Sequence, residues 1–346
     1  MNQSILLSGY FGFDNGGDEA VLSAIVKMLR ELLPEAPVVA LSGNPSKTEK
    51  ANREYDLKAI DRKNFKLIQH ELRGAGLFIS GGGSLFQDVT SVRSVYYYAS
   101  VLNLAHKAGV PAVVLAQGLG PLNTFWGRRL TKKAMGKCAF LSWRDRESLE
   151  LAVKIGLPRE KMLLTCDPVL NWDPDYAVKS HDGKRVVIAV RPWQGLAKDQ
   201  IVQGAAELLD AAYEVVLLPF QKGVDETLAA EINEKLQNRC KVPAYTGPLQ
   251  LYGEVASADF LVGMRLHALI MARGAGIPCA AISYDPKIDS FAKREAIPLL
   301  GTAQAIRGRS IAEAVRAGGQ NQTGPSDYSA YWQPVLKKIS EIYRKN

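Results

Sequence analysis

Ile5-Leu6-Leu7-Ser8 is followed by Gly12-Phe13-Asp14-Asn15-Gly16-Gly17-Asp18-Glu19, and then by Leu22, Ile25, Val26, Leu29 and Leu33 at helical spacing. An apolar run of strand character passes through a polar glycine turn into an amphipathic helix that ends before Pro34 and Pro37. The same plan recurs. Strands are expected at 38–41, 77–80, 112–116, 139–143 and 163–165, with helices at 92–107 and 146–155. Pro, Asp, Ser, His and Gly gather at 173–184, where apolar periodicity lapses and a boundary is expected. Beyond it the plan restarts. Strands are expected at 186–190, 215–218, 260–263 and 279–283, and helices at 197–212, 224–236, 266–273, 311–316 and 331–344.

This alternation implies an α/β chain of two doubly wound, Rossmann-like domains facing a cleft, 1–176 and 185–325, with a terminal helix at 328–346 packing back on the first. A length of 346 residues suits two cores of about 150 residues each. Apolar residues make up 47% and charged residues 23%, an ordinary globular balance. The net charge of +8 favours anionic partners, but the cations are scattered and no nucleic-acid motif occurs, so no nucleic acid is expected. Lys337, Lys338, Arg344 and Lys345 make the end of the chain moderately basic. That suits a solvated helix face first and weak attraction to an anionic inner leaflet second.

Cys138, Cys166, Cys240 and Cys279 are far apart in or beside apolar runs and form no CxxC pair, so they read as buried thiols of a reducing compartment. The first thirteen residues lack a signal peptide's basic start, and no run approaches a membrane span. A cytoplasmic location is the expectation. His70, His106, His181 and His267 show no ligand spacing with another His or Cys, so no metal is expected; magnesium, needing only a carboxylate or two, stays open.

Ligands of doubly wound sheets bind beyond the carboxyl ends of the strands, so residues just after strands are the candidates for chemistry. Gly263-Met264-Arg265-Leu266-His267 joins a strand to a helix start: Arg265 offers a planar donor fork for an anion and His267 a proton near neutral pH. Their competing roles are a strand-end tie and an interior histidine. Lys287, in Ser283-Tyr284-Asp285-Pro286-Lys287, follows the next strand and is expected near His267. Arg144, in Ser142-Trp143-Arg144-Asp145-Arg146, is expected to face the cleft from the other domain, with Arg191 ranked below it. In the first turn Asp14, Asn15, Asp18 and Glu19 suit the hydroxyls of an acceptor, one acid serving as base, or else simple helix capping; no P-loop or GxGxxG pattern is present. Gly82 and Gly83, in Gly81-Gly82-Gly83-Ser84, allow close approach of a ligand or tight strand–helix packing.

These segments, together with Asp167-Pro168 and taken in their order, resemble the polysaccharide pyruvyl transferase family. The likeness is nearest to the bacterial cell-surface anchoring type that modifies secondary cell-wall polymers and so serves S-layer anchoring. The resemblance implies a GT-B-like fold and a transferase with no cofactor, using phosphoenolpyruvate as donor. It implies a 4,6-linked pyruvate ketal on N-acetylmannosamine of a lipid-diphosphate-linked disaccharide, with phosphate release. By motif, donor binding falls to Arg144, Arg265, His267 and Lys287 in a C-terminal donor domain. Acceptor binding falls to Asn15, Asp18, Glu19, Gly82 and Gly83, with His267 and Asp14 as catalytic groups. A nucleotide-sugar glycosyltransferase of the same fold is the nearest rival. The paired cations Arg265 and His267 favour a smaller and more highly charged donor. A non-catalytic binder of anionic polymers is the second rival, against which cations at a helix start argue for a small ligand.

Overall fold

The computed structural model describes residues 3–89, 92–174, 184–306, 310–318 and 327–346. The boundary expected at 173–184 falls largely outside them, as does His181. Two compact units emerge: Met1–Phe13, Asp18–Asn171 and Asp327–Asn346 form the first, Asp14–Gly17 and Trp172–Ser326 the second. The division passes through the first turn of helix α1.

The first unit carries strands β1 (Ser4–Phe11), β2 (Val38–Ser42), β3 (Lys58–Asp61), β4 (Ala75–Gly81), β5 (Ala112–Gln117), β6 (Phe140–Trp143) and β7 (Met162–Leu164). Between them run α1 (Gly16–Leu32), α2 (Pro45–Ala51), α3 (Phe65–Leu72), α4 (Val92–Lys107), α5 (Phe125–Met135) and α6 (Arg146–Lys154). The order is β3-β2-β1-β4-β5-β6-β7, with every pairing parallel. β2, β4 and β5 are buried at every position. Helices covering both faces of a sheet require such continuous apolar runs.

The second unit carries β8 (Arg185–Ala189), β9 (Glu214–Leu217), β10 (Phe260–Gly263), β11 (Cys279–Ser283), β12 (Leu299–Thr302) and β13 (Ala305–Ile306). Its helices are α7 (Lys198–Asp210), α8 (Asp225–Lys235), α9 (Pro248–Ala256), α10 (Leu266–Gly274), α11 (Pro286–Arg294) and α12 (Ile311–Arg316). The order is β13-β12-β11-β10-β8-β9, parallel except for the β12–β13 hairpin. The last helix, α13 (Ser329–Arg344), groups with the first unit, where Tyr343 Oη donates to Gln3 O and Asn346 Nδ2 to Gly76 O.

Each sheet reverses its strand order at one point, between β1 and β4 in the first and between β8 and β10 in the second. A crevice opens beyond the carboxyl ends at such a reversal. The segments leaving these four strands are therefore the ones placed to meet a ligand.

Several elements go beyond the sequence expectations: α2, β3, α3, α5, α9, α11, β12 and β13. Proline breaks a helix interior, but Pro248 and Pro286 sit at the first helical turn, where a missing N–H costs nothing. Helix α5 buries Gly127, Thr131, Ala134 and Met135, mostly small or polar residues that leave no apolar stripe in the sequence. The short antiparallel β13 sits at the edge of an otherwise parallel sheet, a common addition to doubly wound folds.

Candidate functional site

In the second unit, Ala189 O at the end of β8 accepts from both Met264 N (2.8 Å) and Arg265 N (3.3 Å), which fixes the turn leaving β10. Gly263 permits that turn, since a Cβ there would stand 2.6 Å from Leu269 Cδ2. Arg265 caps α10 with extended backbone, and its guanidinium is buried. Nε donates to Asp225 Oδ2 (2.9 Å), and Nη2 donates to Asp225 Oδ1 and to Gln221 Oε1 (3.1 Å). Asp225 is 1% exposed and also accepts from Phe220 N and Gln221 N. One edge of the Arg265 fork is taken by a buried carboxylate that sequence reading missed, which gives Arg265 a tying role there and leaves the rest of the fork outside that pair. Asp225 opens α8 just after β9, forty residues before Arg265, and no local pattern links the two.

The first-turn segment Asp14–Gly17 belongs to this unit and meets the same groups. Gly16 N donates to Phe220 O (2.7 Å), Lys222 N to Asp14 O (3.3 Å), and Asn15 forms an isolated bridge with Gln221. A Cβ at Gly17 would lie 2.2 Å from His267 Nδ1 and 2.5 Å from Cγ, so only glycine lets α1 begin against the imidazole. Asn15 Oδ1 accepts from Gly17 N (3.1 Å), the capping role of its residue type. Asp14 holds φ 54°, a left-handed conformation that turns the chain into this contact. Asp14, Asn15, Arg265 and His267 are therefore one connected cluster.

Arg191 follows β8, across the strand reversal from Arg265. Its guanidinium lies 5.1 Å from the Tyr284 ring centroid and 5.7 Å from that of Trp193, and Nη1 donates to Tyr284 Oη (3.2 Å). No carboxylate pairs with it among the described residues, and its Nε is buried with no acceptor among them. Ranked below Arg144 by sequence, it is a cation whose charge no described carboxylate of this unit compensates. Lys287 is exposed in the first turn of α11, its N–H on Asp285 Oδ1 (2.9 Å). Since β10 and β11 are parallel neighbours, it leaves the sheet beside Arg265.

In the first unit, β1 is followed by the polar turn and β4 by Gly82 and Gly83, so both flank the strand reversal. Both glycines have positive φ (69° and 64°). A Cβ on Gly82 would strike Val21 Cγ1 at 2.1 Å, and one on Gly83 would reach Asp18 Oδ1 at 3.2 Å, which puts the glycine turn against Asp18. Glu19 is buried with Oε1 on Gly12 N (2.7 Å), a tie within the turn's own backbone. Arg144 is likewise buried. Nη1 donates to Asp167 Oδ2 (3.1 Å) and Nη2 to Ser84 Oγ (3.2 Å), with Asp145 Oδ2 3.6 Å from Nε. Two carboxylates thus compensate Arg144, which braces the glycine turn through Ser84.

Aromatic groups at this end escaped the sequence reading. Tyr10 and Phe13 are exposed and stacked, centroids 4.3 Å apart at 17°. Behind them the buried Arg62 guanidinium lies 5.2 Å from Phe13 and 4.1 Å from Tyr97. The exposed aromatic pair beside a glycine turn was the available signal.

Burial pushes the thiols of Cys138 and Cys279 up to about 12 and that of Cys240 to about 11, which removes them as nucleophiles at neutral pH. Among the described residues, no group of three His, Cys, Asp or Glu could hold a metal ion, and no helix is long and apolar enough to cross a membrane.

Solved structures share this fold over the whole chain. A Staphylococcus aureus MnaA–UDP co-structure matches with TM-score 0.66 and 12% identity over 98% of this chain and 97% of that one. A Listeria monocytogenes putative UDP-N-acetylglucosamine 2-epimerase gives 0.69 and 10% over 100% and 98%. Anabaena Alr3699/HepE with UDP and glucose gives 0.57 and 12% over 99% and 98%. At such identities the likeness is one of fold, GT-B-like and built of two Rossmann-like units. No curated protein matches the chain in sequence. The model of the family Polysaccharide pyruvyl transferase matches residues 15–286, from the capping Asn15 to the proline that opens α11, and so takes in every cation at the second unit's strand ends except Lys287. The chain belongs to the polysaccharide pyruvyl transferase family and is a transferase.

Proposed function

We propose that the chain transfers the pyruvyl group of phosphoenolpyruvate to a sugar diol as a 4,6-ketal, releasing phosphate and using no cofactor. The acceptor in this reading is N-acetylmannosamine of a lipid-diphosphate-linked disaccharide, a precursor of secondary cell-wall polymer, as in the cell-surface anchoring branch of the family. The enzyme then works in the cytoplasm at the inner face of the membrane.

The observation that carries the reading is the cation group at the β8–β10 reversal. Arg191 lacks a carboxylate among the described residues, Arg265 keeps part of its fork beyond Asp225, and His267 and Lys287 stand after the same and the next strand. A donor bearing both a phosphate and a carboxylate suits several donors on adjacent strand ends better than a single ion pair would. Chemically, a proton goes to the donor's methylene carbon and a sugar hydroxyl adds to the central carbon. Phosphate then leaves as a second hydroxyl closes the ring. One hydroxyl proton balances that given to the methyl group and the other departs with phosphate. His267 moves the proton or assists phosphate departure, and Asp14, in the segment packed on it, deprotonates the acceptor. Asp18, Gly82 and Gly83 receive the acceptor, with Tyr10 and Phe13 offering a ring face to a sugar. Asn15 and Glu19 act on the acceptor by holding the turn, and Arg144 does so by bracing the glycine turn through Ser84.

A second reading, transfer from a nucleotide sugar, draws on the UDP complexes among the fold's neighbours. Offering a lipid-diphosphate disaccharide with either phosphoenolpyruvate or UDP-sugars, and weighing the product, separates the two. A product heavier by one ketal-linked pyruvyl group supports the first reading; one heavier by a hexose overturns it.

A further inference from the structure

Helix α5 and the end of α6 carry a surface that the transfer reaction does not use. Phe125 and Trp126 are 68% and 64% exposed and meet edge to face, ring centroids 5.5 Å apart. Two large aromatic side chains so exposed side by side are uncommon on a surface that meets only water. Their position is fixed. Asp88 accepts from Asn123 N (2.7 Å), Thr124 N (2.8 Å) and Thr124 Oγ1 (2.5 Å), and Thr124 caps α5 through Gly127 N. Gly127 allows the close fit, since a Cβ there would stand 2.5 Å from Asp88 Oδ2. The aromatic pair is thus presented on a clamped turn.

Behind it the helix is basic. Arg128, Arg129, Lys132, Lys133 and Lys137 are exposed, and no Asp or Glu occurs from 121 to 140. A hollow of about 360 Å³ lies beside Phe125, walled by Arg128, Arg129, Lys132 and Lys154 over an apolar floor of Leu151 and Ile155. Glu147 and Glu150 of α6 do not line it. Cations around an apolar floor, flanked by a Phe–Trp pair, match the chemistry of the headgroup boundary of an anionic bilayer. There aromatic rings enter the boundary and cations pair with phosphates. The C-terminal helix is the weaker candidate: its Lys338 already pairs with Glu341 (3.5 Å).

We propose that this α5–α6 face docks the protein on anionic membrane surfaces, Phe125 and Trp126 entering the headgroup layer while Arg128, Arg129, Lys132, Lys133 and Lys154 meet lipid phosphates. The inference goes beyond the transfer reaction and stands without it, because lipid binding is read with no substrate present.

The test is sedimentation of the full chain with vesicles of phosphatidylcholine alone and of phosphatidylcholine mixed with phosphatidylglycerol, at low and high salt. Binding is expected only to the anionic vesicles and should weaken with salt. Arg129→Ser with Lys133→Ser should weaken it about 25-fold, at about fivefold per cation. Phe125→Ser with Trp126→Ser should weaken it about tenfold or more. Unchanged thermal melting of these surface variants would show that they remain folded. Absence of binding to anionic vesicles, parent-like binding by both double variants, or loss produced instead by Lys338→Ser with Lys345→Ser would overturn the proposal.

Discussion

Two arginines flank the strand reversal of the second unit, and their partners divide their duties. Arg265 spends Nε and part of Nη2 on Asp225, a buried carboxylate that also holds Phe220 N and Gln221 N. Removing it leaves a buried guanidinium without its counter-charge. Asp225→Ala should therefore cost about 3–5 kcal/mol of stability, read as a lower urea midpoint. Arg191 has only aromatic faces and a phenol for company among the described residues. Gly17 poses a sharper question. Alanine there should help a helix start by about 1 kcal/mol, yet its Cβ would meet the His267 ring at 2.2 Å, and His267 Cβ at 2.9 Å blocks the ring from swinging aside. Gly17→Ala is expected to lower phosphate release with at most about 1–3 kcal/mol lost in stability. His267→Ala should reduce turnover by about 10²–10⁴-fold. Parent-like rates in both variants would detach this cluster from the chemistry.

At the scale of elements, what the sequence shows depends on how much apolar surface each element buries. β10, β11, α4 and α12 match the expected bounds, because strand runs and helical stripes there are long or fully buried. Helix α5 escaped, its buried face being glycine, threonine, alanine and methionine, and its start set by Asp88, which is distant in sequence. Burial tends to raise the pKa of Asp88, but the hydrogen bonds from Thr124 and Asn123 outweigh it and hold the group below its ordinary value of 3.8. Its contribution is accordingly complete above pH 3.8 and fades as pH falls through the lowered folded value. Asp88→Ala should cost about 3 kcal/mol at neutral pH. That difference from the parent should shrink only below pH 3.8, as measured by urea unfolding at a series of pH values.

For the whole molecule, the repeated strand–turn–helix plan was legible from residues 5 to 33 onward, since a doubly wound sheet needs both alternation and continuous apolar strands. The segments after β1, β4, β8 and β10 were legible too, as polar or glycine-rich turns after apolar runs. Which charges are already compensated was not. Asp225 and Asp167 reach Arg265 and Arg144 only through the strand order, β8 lying between β9 and β10 in one sheet and β7 beside β6 in the other. In the proposed reaction this compensation shifts weight toward Arg191, whose guanidinium meets no carboxylate among the described residues. Pyruvyl transfer at the β8–β10 reversal is tested by inorganic phosphate release from phosphoenolpyruvate, with and without a lipid-diphosphate disaccharide carrying N-acetylmannosamine. Release that depends on the acceptor and falls in Arg191→Ala and His267→Ala is the predicted result. Absence of release from phosphoenolpyruvate, alongside nucleotide release from a UDP-sugar, would contradict the account.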